Sequence, residues 1–153
     1  MEEKKVLERL QRQCARAEYC SLDVRRKALR ALEGDAAAAD RIVESLLKDR
    51  FVDDARYAGA FTREKSSLSG WGARKIAYAL RSKGVSAEII SEALSEIAPE
   101  VSSEKLRKVL SDKYRTLKND PSAFAKLMRF GLSRGYSYDE VAEAAGAILS
   151  RTS

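Results

Sequence analysis

The amino-acid sequence predicts an all-α protein, with three tandem three-helix repeats, each similar to a helix-turn-helix unit, stacked in an elongated, curved array. Two observations lead to this fold class. Apolar residues recur at helical spacing along almost the whole chain, and nowhere do they alternate long enough to suggest a strand. A joint of the form Lys/Arg-Gly-apolar-Ser also occurs twice, at 83–86 and at 134–137, with a spacing of about fifty residues.

The apolar positions predict one amphipathic helix after another. They fall every three or four residues, which places them on one face of a helix. The groups are Ile42, Val43, Leu46 and Leu47; Tyr57, Phe61 and Leu68; Ala73, Ile76, Ala77 and Leu80; Ile89, Ile90, Ala93, Leu94 and Ile97; Leu106, Val109, Leu110 and Leu117; Phe124, Leu127 and Met128; and Val141, Ala145, Ile148 and Leu149.

Capping signals indicate where these helices begin and end. Glycines that follow amphipathic segments predict helix ends at Gly34, Gly84 and Gly135. Residues with a short polar side chain predict helix starts. They are Asp53 or Asp54, Ser86, Ser137 with Glu140 in a capping box, and Asp120, which precedes Pro121 at the first helical position.

Proline predicts a break between the second and third repeats. Pro99 should end the preceding helix, with the next helix beginning near Ser102 or Ser103, so that 98–101 forms a flexible hinge. A period of about fifty residues that holds three helices then gives three units, which share a core by stacking. Their expected bounds are 3–50, 53–98 and 102–150.

The composition favours a binding protein over an enzyme. The 153 residues include no histidine, so the chain lacks the commonest general base and every nucleophile pair that uses histidine. No glycine-rich phosphate loop or metal-ligand cluster occurs in the sequence. Asp53 and Asp54 are adjacent carboxylates, but their position at a helix start predicts capping. We therefore expect no catalytic residue, metal or cofactor.

Three further expectations concern the thiols, the cellular location and the oligomeric state. Cys14 and Cys20 should be reduced thiols that pack as small apolar side chains, because two further metal ligands are not evident. No segment has the features of a signal peptide or a membrane span, which predicts a cytoplasmic protein. A monomer is expected, because internal repeats already supply multivalency.

The charge indicates an acidic partner. Lys and Arg number 29 against 23 Asp and Glu, which gives a net charge of +6. Nucleic acid is the usual partner of such a chain, and acidic protein surfaces and anionic membranes are the alternatives.

Basic residues are concentrated in the middle helix of each unit. Three windows contain no acid: between Asp23 and Glu33, between Glu64 and Glu88, and between Asp120 and Asp139. Their basic residues, together with Tyr78, form the candidate partner- and DNA-binding set. This set is Arg25, Arg26, Lys27 and Arg30; Lys65, Arg74, Lys75, Tyr78, Arg81 and Lys83; and Lys126, Arg129 and Arg134.

The second window contains the best-defined basic face. At 100° per residue, Arg74, Tyr78 and Arg81 share one stripe of a helix, with Lys75 alongside. Such a face can bind phosphates and stack on a base. The alternative is a solvated basic face along which Tyr78 is half-buried. The opposite side of the same helix is apolar, with Ala73, Ile76 and Leu80.

Trp71, which lies between two glycines, has two interpretations. It is either an exposed anchor for a partner or a packing residue that fixes the start of its helix against Tyr57 and Phe61, and packing is favoured.

The third helix of each unit is acidic. In the second unit Glu88, Glu92 and Glu96 repeat every four residues, which places them on one face. In helix-turn-helix proteins that read an operator, the corresponding helix enters the negatively charged major groove. The sequence therefore argues against sequence-specific DNA recognition.

The order and spacing of several short motifs resemble the bacterial RecX family of recombination regulators. The most specific part is the run from Asp53 to Leu94, and a looser match covers about residues 14–150. The residues that carry it are Tyr19-Cys20-Ser21, Asp23-Val24 and Lys27-Ala28-Leu29; Phe51-Val52-Asp53-Asp54, Arg56-Tyr57-Ala58 and Phe61; Gly70-Trp71-Gly72, Lys75-Ile76, Leu80, Lys83-Gly84-Val85, Ile89-Ile90 and Ala93-Leu94; and Lys126, Gly131, Arg134-Gly135-Tyr136 and Val141.

The resemblance implies a protein that binds the RecA recombinase along its filament on single-stranded DNA. Such a protein suppresses strand exchange and ATP hydrolysis without catalytic activity of its own. The basic helices would then face DNA phosphates, of single-stranded and also of double-stranded DNA, or acidic patches of the recombinase. The alternative is a nucleic-acid-binding or architectural protein that acts without sequence specificity and without recombinase.

Overall fold

The computed structural model describes residues 2–152, and these form nine α-helices and no strand. The prediction of an all-α helical-repeat fold is therefore confirmed. The helices are α1 (Glu3–Arg16), α2 (Ser21–Ala31), α3 (Ala36–Lys48), α4 (Asp54–Ser67), α5 (Ala73–Ser82), α6 (Ala87–Ser95), α7 (Pro99–Tyr114), α8 (Ala123–Ser133) and α9 (Tyr138–Thr152).

The predicted helix ends at three glycines are confirmed. Gly34, Gly84 and Gly135 follow α2, α5 and α8 with φ angles of 88°, 76° and 97°. These angles lie in the left-handed region, where a side chain is strained and glycine is not. Backbone amides close the helix ends, as in the bond of 2.8 Å from Gly34 N to Leu29 O.

Helix α4 begins as the capping signal predicts. Of the two candidate caps, Asp53 is the one that caps, because its Oδ1 accepts a hydrogen bond from Arg56 N at 3.0 Å. Asp54 is the first residue of α4. The Asp54 carboxylate accepts hydrogen bonds from Ser21.

The predicted caps of α6 and α9 are also confirmed. Ser86 Oγ accepts a hydrogen bond from Ile89 N at 3.3 Å. At α9, Glu140 N donates to Ser137 Oγ at 3.3 Å, and Ser137 N donates to Glu140 Oε1 at 2.9 Å. These reciprocal bonds form the expected capping box.

The two proline predictions were wrong. Pro99 is the first residue of α7, so 99–101 is helical and the helix begins earlier than Ser102. The reason is that the first position of a helix needs no amide donor and fits the fixed φ of proline. Pro121 instead lies in a turn, and α8 begins at Ala123. Asp120 stabilises that turn by accepting from Ser122 N at 2.8 Å.

The chain divides into two compact units. The first comprises the chain as far as Ala60 together with Leu80–Ser91, and the second comprises Phe61–Ala79 together with the chain from Glu92 onward. Helices α4, α5 and α6 therefore each contribute residues to both units. The division into repeats at 3–50, 53–98 and 102–150 stays a prediction.

Each unit has its own apolar core. Helices α1, α2 and α3 bury one face each in the first unit, and α7, α8 and α9 do so in the second. The first core contains Val6, Leu10, Val24, Ala28, Ala39, Ile42, Leu46 and Val52. The second contains Leu106, Leu110, Leu117, Ala123, Leu127, Met128, Tyr136, Val141, Ala144, Ala145 and Ile148.

Each of the two Lys/Arg-Gly joints contacts the start of an earlier helix inside its own unit. In the first unit, the joint at 83–86 lies on the first turn of α2, where Lys83 Nζ is 3.0 Å from Asp23 Oδ2. In the second unit, the joint at 134–137 lies on the start of α5, where Arg134 O accepts from Gly72 N at 2.6 Å. The joint at 83–86 thus packs on α2, and the joint at 134–137 packs on the start of α5.

Asp54→Ala should lower the free energy of unfolding by about 2 kcal/mol, because it removes a charged acceptor from two hydrogen bonds. Asp54 Oδ1 accepts from Ser21 N and Oδ2 accepts from Ser21 Oγ, each at 2.8 Å. Urea denaturation followed by circular dichroism measures the effect. Asp139→Ala is the control, because Asp139 also lies in the first turn of a helix and is exposed. Equal losses in the two variants would contradict the prediction.

Candidate nucleic-acid and partner interface

Helix α5 presents the predicted basic face to solvent. Ile76 and Leu80 are fully buried on the opposite side, as predicted, although Ala73 is exposed. Arg74 and Arg81 are exposed, and their guanidinium groups form no ion pair with any described residue. Tyr78 is 69% exposed, which is more than the half-buried alternative predicts. The face therefore offers two unneutralised cations and an aromatic ring.

Two more predicted lysines lie over the ring of Trp71. Lys65 Nζ is 4.9 Å and Lys75 Nζ is 4.4 Å from its centroid. Trp71 also packs edge-on against Phe61, with ring centroids 6.1 Å apart at 72°, which confirms the packing interpretation. Each cation over the indole is stabilised by roughly 0.5–1 kcal/mol and keeps its charge near the surface.

Three other predicted residues are engaged by acids within the first unit. Arg25 Nε lies 2.8 Å from Asp40 Oδ1. Asp23 lies 3.9 Å from Arg26 and 3.0 Å from Lys83. Asp23 itself belongs to the first turn of α2, so that helix is not free of acid. These cations can bind a partner only by exchanging or sharing their present contacts.

The predicted residues of the third repeat differ in exposure and contacts. Lys126 Nζ lies 2.6 Å from Asp120 Oδ2, and this bond lowers the pKa of the Asp120 carboxyl. Arg134 lies 4.9 Å from the ring of Phe130 and donates to Ser69 O at 3.2 Å, so it has a structural role. Arg129 is exposed and forms no ion pair among the described residues.

A basic cleft between α1 and α2 contains the remaining predicted residues. Lys27 and Arg30 from α2 line it together with Arg9 from α1. Lys27 Nζ also lies 5.1 Å from the centroid of Tyr19. Sequence reasoning missed Arg9 because α1 also carries glutamates such as Glu8, so Arg9 lies in no acid-free window. Arg9 comes close to Lys27 and Arg30 only because α1 packs against α2, and no sequence pattern shows that contact.

The structure gives the thiols no sign of reactivity. Cys14 is half-buried and Cys20 is buried, and both are free thiols. Burial raises the pKa of each, so both are held as neutral thiols. Within residues 2–152, no group of three or more Cys, Asp or Glu side chains is placed to hold a metal ion. In the same range no helix is long and apolar enough to cross a bilayer.

Two protein-family models match this chain. Residues 53–94 match the model of the second three-helix domain of RecX, and residues 100–144 match that of the third. The two matches together cover more than half of the chain. The chain belongs to the RecX family. The resemblance seen in the sequence motifs is therefore confirmed, and the family is one of regulatory proteins, not of enzymes.

Several regulatory proteins named RecX are similar to this chain. The one from Clostridium tetani is 31% identical over 119 residues, which is 75% of this chain and 54% of that protein. The one from Clostridium botulinum is 38% identical over 116 residues, covering 69% and 50%. The one from Mycolicibacterium smegmatis is 30% identical over 103 residues, covering 63% and 55%. The chain thus spans about half the length of these RecX relatives.

Solved structures support the RecX fold. The crystal structure of RecX from Lactobacillus salivarius superposes with a TM-score of 0.84 at 19% identity, covering 97% of both chains. Another crystal structure of a regulatory protein RecX gives a TM-score of 0.83 at 22% identity, covering 97% of this chain and 71% of that one.

Proposed function

We propose that this chain is a cytoplasmic regulator that binds the RecA recombinase filament on single-stranded DNA. It lowers strand exchange and ATP hydrolysis by occupying the filament, and it performs no chemistry of its own. Membership of the RecX family and the names of the similar proteins support a regulatory role. The observation that carries the proposal is the exposed face of α5, formed by Arg74, Tyr78 and Arg81.

The α5 face is suited to binding because Arg74 and Arg81 have no acidic partner to give up among residues 2–152. An Arg with a close carboxylate must release that carboxylate or bind a ligand with reduced net charge. Arg74 and Arg81 face no such cost, unlike Arg25 with Asp40 at 2.8 Å. The exposed ring of Tyr78 adds a surface on which a base or a guanidinium can stack.

Repetition should strengthen weak contacts of this kind. A monomer with three basic middle helices can contact several subunits of a filament, and linked contacts add in free energy once the first is made. DNA phosphates and acidic recombinase surface are both ligands of the α5 face in this proposal.

The alternative function is a nucleic-acid binder that needs no recombinase, and the net charge of +6 favours it.

The experiment adds the protein to preformed RecA filaments on single-stranded DNA and follows ATP hydrolysis. The wild-type chain should inhibit at stoichiometric amounts. Arg74→Glu with Arg81→Glu should weaken inhibition by about a hundredfold in concentration, because each reversal turns a weak attraction into a repulsion and so costs about 1–2 kcal/mol in total. Circular dichroism must show that the helical content is unchanged.

Lys48→Glu with Lys118→Glu is the matched control. Both lysines are exposed and lie outside the acid-free windows, so the change in net charge is identical. This variant should inhibit nearly as well as the wild type. An equal loss of inhibition in both variants would indicate a net-charge effect, and no inhibition by the wild type would refute the proposal. Binding to DNA that falls log-linearly with salt and gains nothing from recombinase would favour the alternative.

A further inference from the structure

We infer that the cleft between α1 and α2 binds a backbone phosphate of single-stranded DNA. This inference rests on the proposed function and adds a site outside the middle-helix face of α5. The cleft lies within the first unit and has a volume of about 350 Å³. Arg9, Lys27 and Arg30 supply its charge, and Val6 and Leu10 supply an apolar floor.

The charges of the cleft are not neutralised from within. None of the described residues that line it is acidic. Neither Arg9 nor Arg30 forms an ion pair with any residue between 2 and 152. Lys27 contacts the face of Tyr19, which leaves its full charge in place. Three cations from two helices at one cleft repel each other, and an anion bound among them relieves that repulsion.

The shape of the donors favours phosphate over carboxylate. A guanidinium offers a planar fork of N–H donors, and an ammonium offers a compact point charge. A phosphodiester presents its oxygens tetrahedrally, so it can accept from donors that converge from α1 and α2. A planar carboxylate matches a single guanidinium. The cleft therefore fits a DNA phosphate better than an acidic protein side chain.

Gln13 gives the cleft an unsatisfied acceptor. Its side chain lines the cleft, and its Oε1 is buried without a hydrogen-bond donor. Buried acceptors are normally paired, so a donor from the ligand would complete this site. The amino groups of the DNA bases are such donors, and the apolar floor beside Gln13 can pack against a sugar or a base.

The test measures binding of the 153-residue chain to fluorescent oligo(dT) across a salt series, without recombinase. Arg9→Ala with Arg30→Ala should weaken binding by about tenfold. The slope of log affinity against log salt should fall by about 0.7 for each phosphate that the variant no longer binds. Oligo(dT) has no exocyclic amino group, so its binding does not depend on a hydrogen bond from a base amino group to Gln13. Circular dichroism checks that the variant is folded.

Lys4→Ala with Lys48→Ala removes the same charge elsewhere and should leave the slope nearly unchanged. Lys4 is exposed and lies about 140° around α1 from Arg9, and Lys48 is exposed on α3. Equal effects of the two double variants would overturn the inference. So would a cleft variant with wild-type affinity for oligo(dT) whose binding to recombinase is reduced, since the cleft would then be a site for acidic protein.

Inorganic phosphate separates a DNA site from a site for free anions. Phosphate that raises the Tm of the wild type but not of the cleft variant, with oligo(dT) binding unchanged, would overturn the DNA assignment. The proposed function fails separately, when the wild type does not inhibit recombinase. Normal DNA binding by the cleft variant alongside inhibition by the wild type would refute only the inference.

Discussion

Gly135→Ala should destabilise the second unit by about 3 kcal/mol or more, because a backbone clash adds to left-handed strain. Gly135 has a φ of 97° and lies against the first turn of α5. A Cβ atom there would be 2.6 Å from Lys75 N and 3.0 Å from Gly72 O. Neither atom can move without displacing the start of α5.

The contact is formed by two backbones that meet at glycine. Gly72 N donates to Arg134 O at 2.6 Å, and Arg74 N donates to Gly135 O at 3.0 Å. A Cβ on Gly72 would in turn lie 2.5 Å from Gly135 C. A side chain on either glycine would separate these two backbone segments and break the hydrogen bonds between the end of α8 and the start of α5.

Two other glycines are the controls. Gly34 has a φ of 88° with no atom within 4 Å of an added Cβ, so Gly34→Ala should show the left-handed strain of about 1 kcal/mol alone. Gly146 lies inside α9 with open space, and Gly146→Ala should stabilise by about 0.5–1 kcal/mol.

Urea unfolding followed by circular dichroism measures the effects in both units, and tryptophan fluorescence reports the second unit. Trp71 is the single tryptophan of the sequence and belongs to the second unit, beside the contact. A Gly135→Ala variant no less stable than Gly34→Ala would show that the glycine contact is not tightly packed.

Stability should also fall at alkaline pH through Tyr136. The Tyr136 ring is 2% exposed, and burial raises its pKa to about 12. The folded state therefore keeps the proton over a range in which the unfolded chain, with a pKa near 10, has released it. The stabilisation is complete below about pH 10 and disappears as the pH rises toward 12. The total loss should be about 2–3 kcal/mol, at about 1.36 kcal/mol per pKa unit.

Tyr136→Phe isolates this contribution. At neutral pH it should be less stable than the wild type by about 1 kcal/mol, because Gly70 O loses a buried donor. In the wild type, Tyr136 Oη donates to that oxygen at 3.2 Å. Between about pH 10 and 12 the stability difference should shrink and reverse, because the variant has no proton to release there. A difference that stays constant from about pH 9 to 12 in urea titrations would contradict the assigned ionisation.

Local signals in the sequence were enough to locate most helices. The caps at Asp53, Ser86 and Ser137 use bonds to residues three positions away, so spacing alone reveals them. Pro99 and Pro121 were misread because proline fits either just before a helix or in its first turn. The choice between those positions depends on what the neighbouring chain packs against.

Local sequence signals also predicted some features of the candidate site and missed others. Helical periodicity placed Arg74, Tyr78 and Arg81 on one face, and they are exposed on it. The ion pairs of Arg25 and Lys83 join residues 15 and 60 positions apart, so no local pattern showed that these charges are engaged. Arg9 was missed for the related reason that its cleft is formed by two helices.

The sequence by itself determined the all-α fold, the ends of most helices, the family and the exposed face of α5, because helix periodicity and capping act over a few residues. Only the tertiary structure decided which cations are neutralised, that Arg9 joins Lys27 and Arg30, and that Gly72 meets Gly135. Those features depend on distances between atoms far apart in the chain. Such distances are fixed when the helices pack.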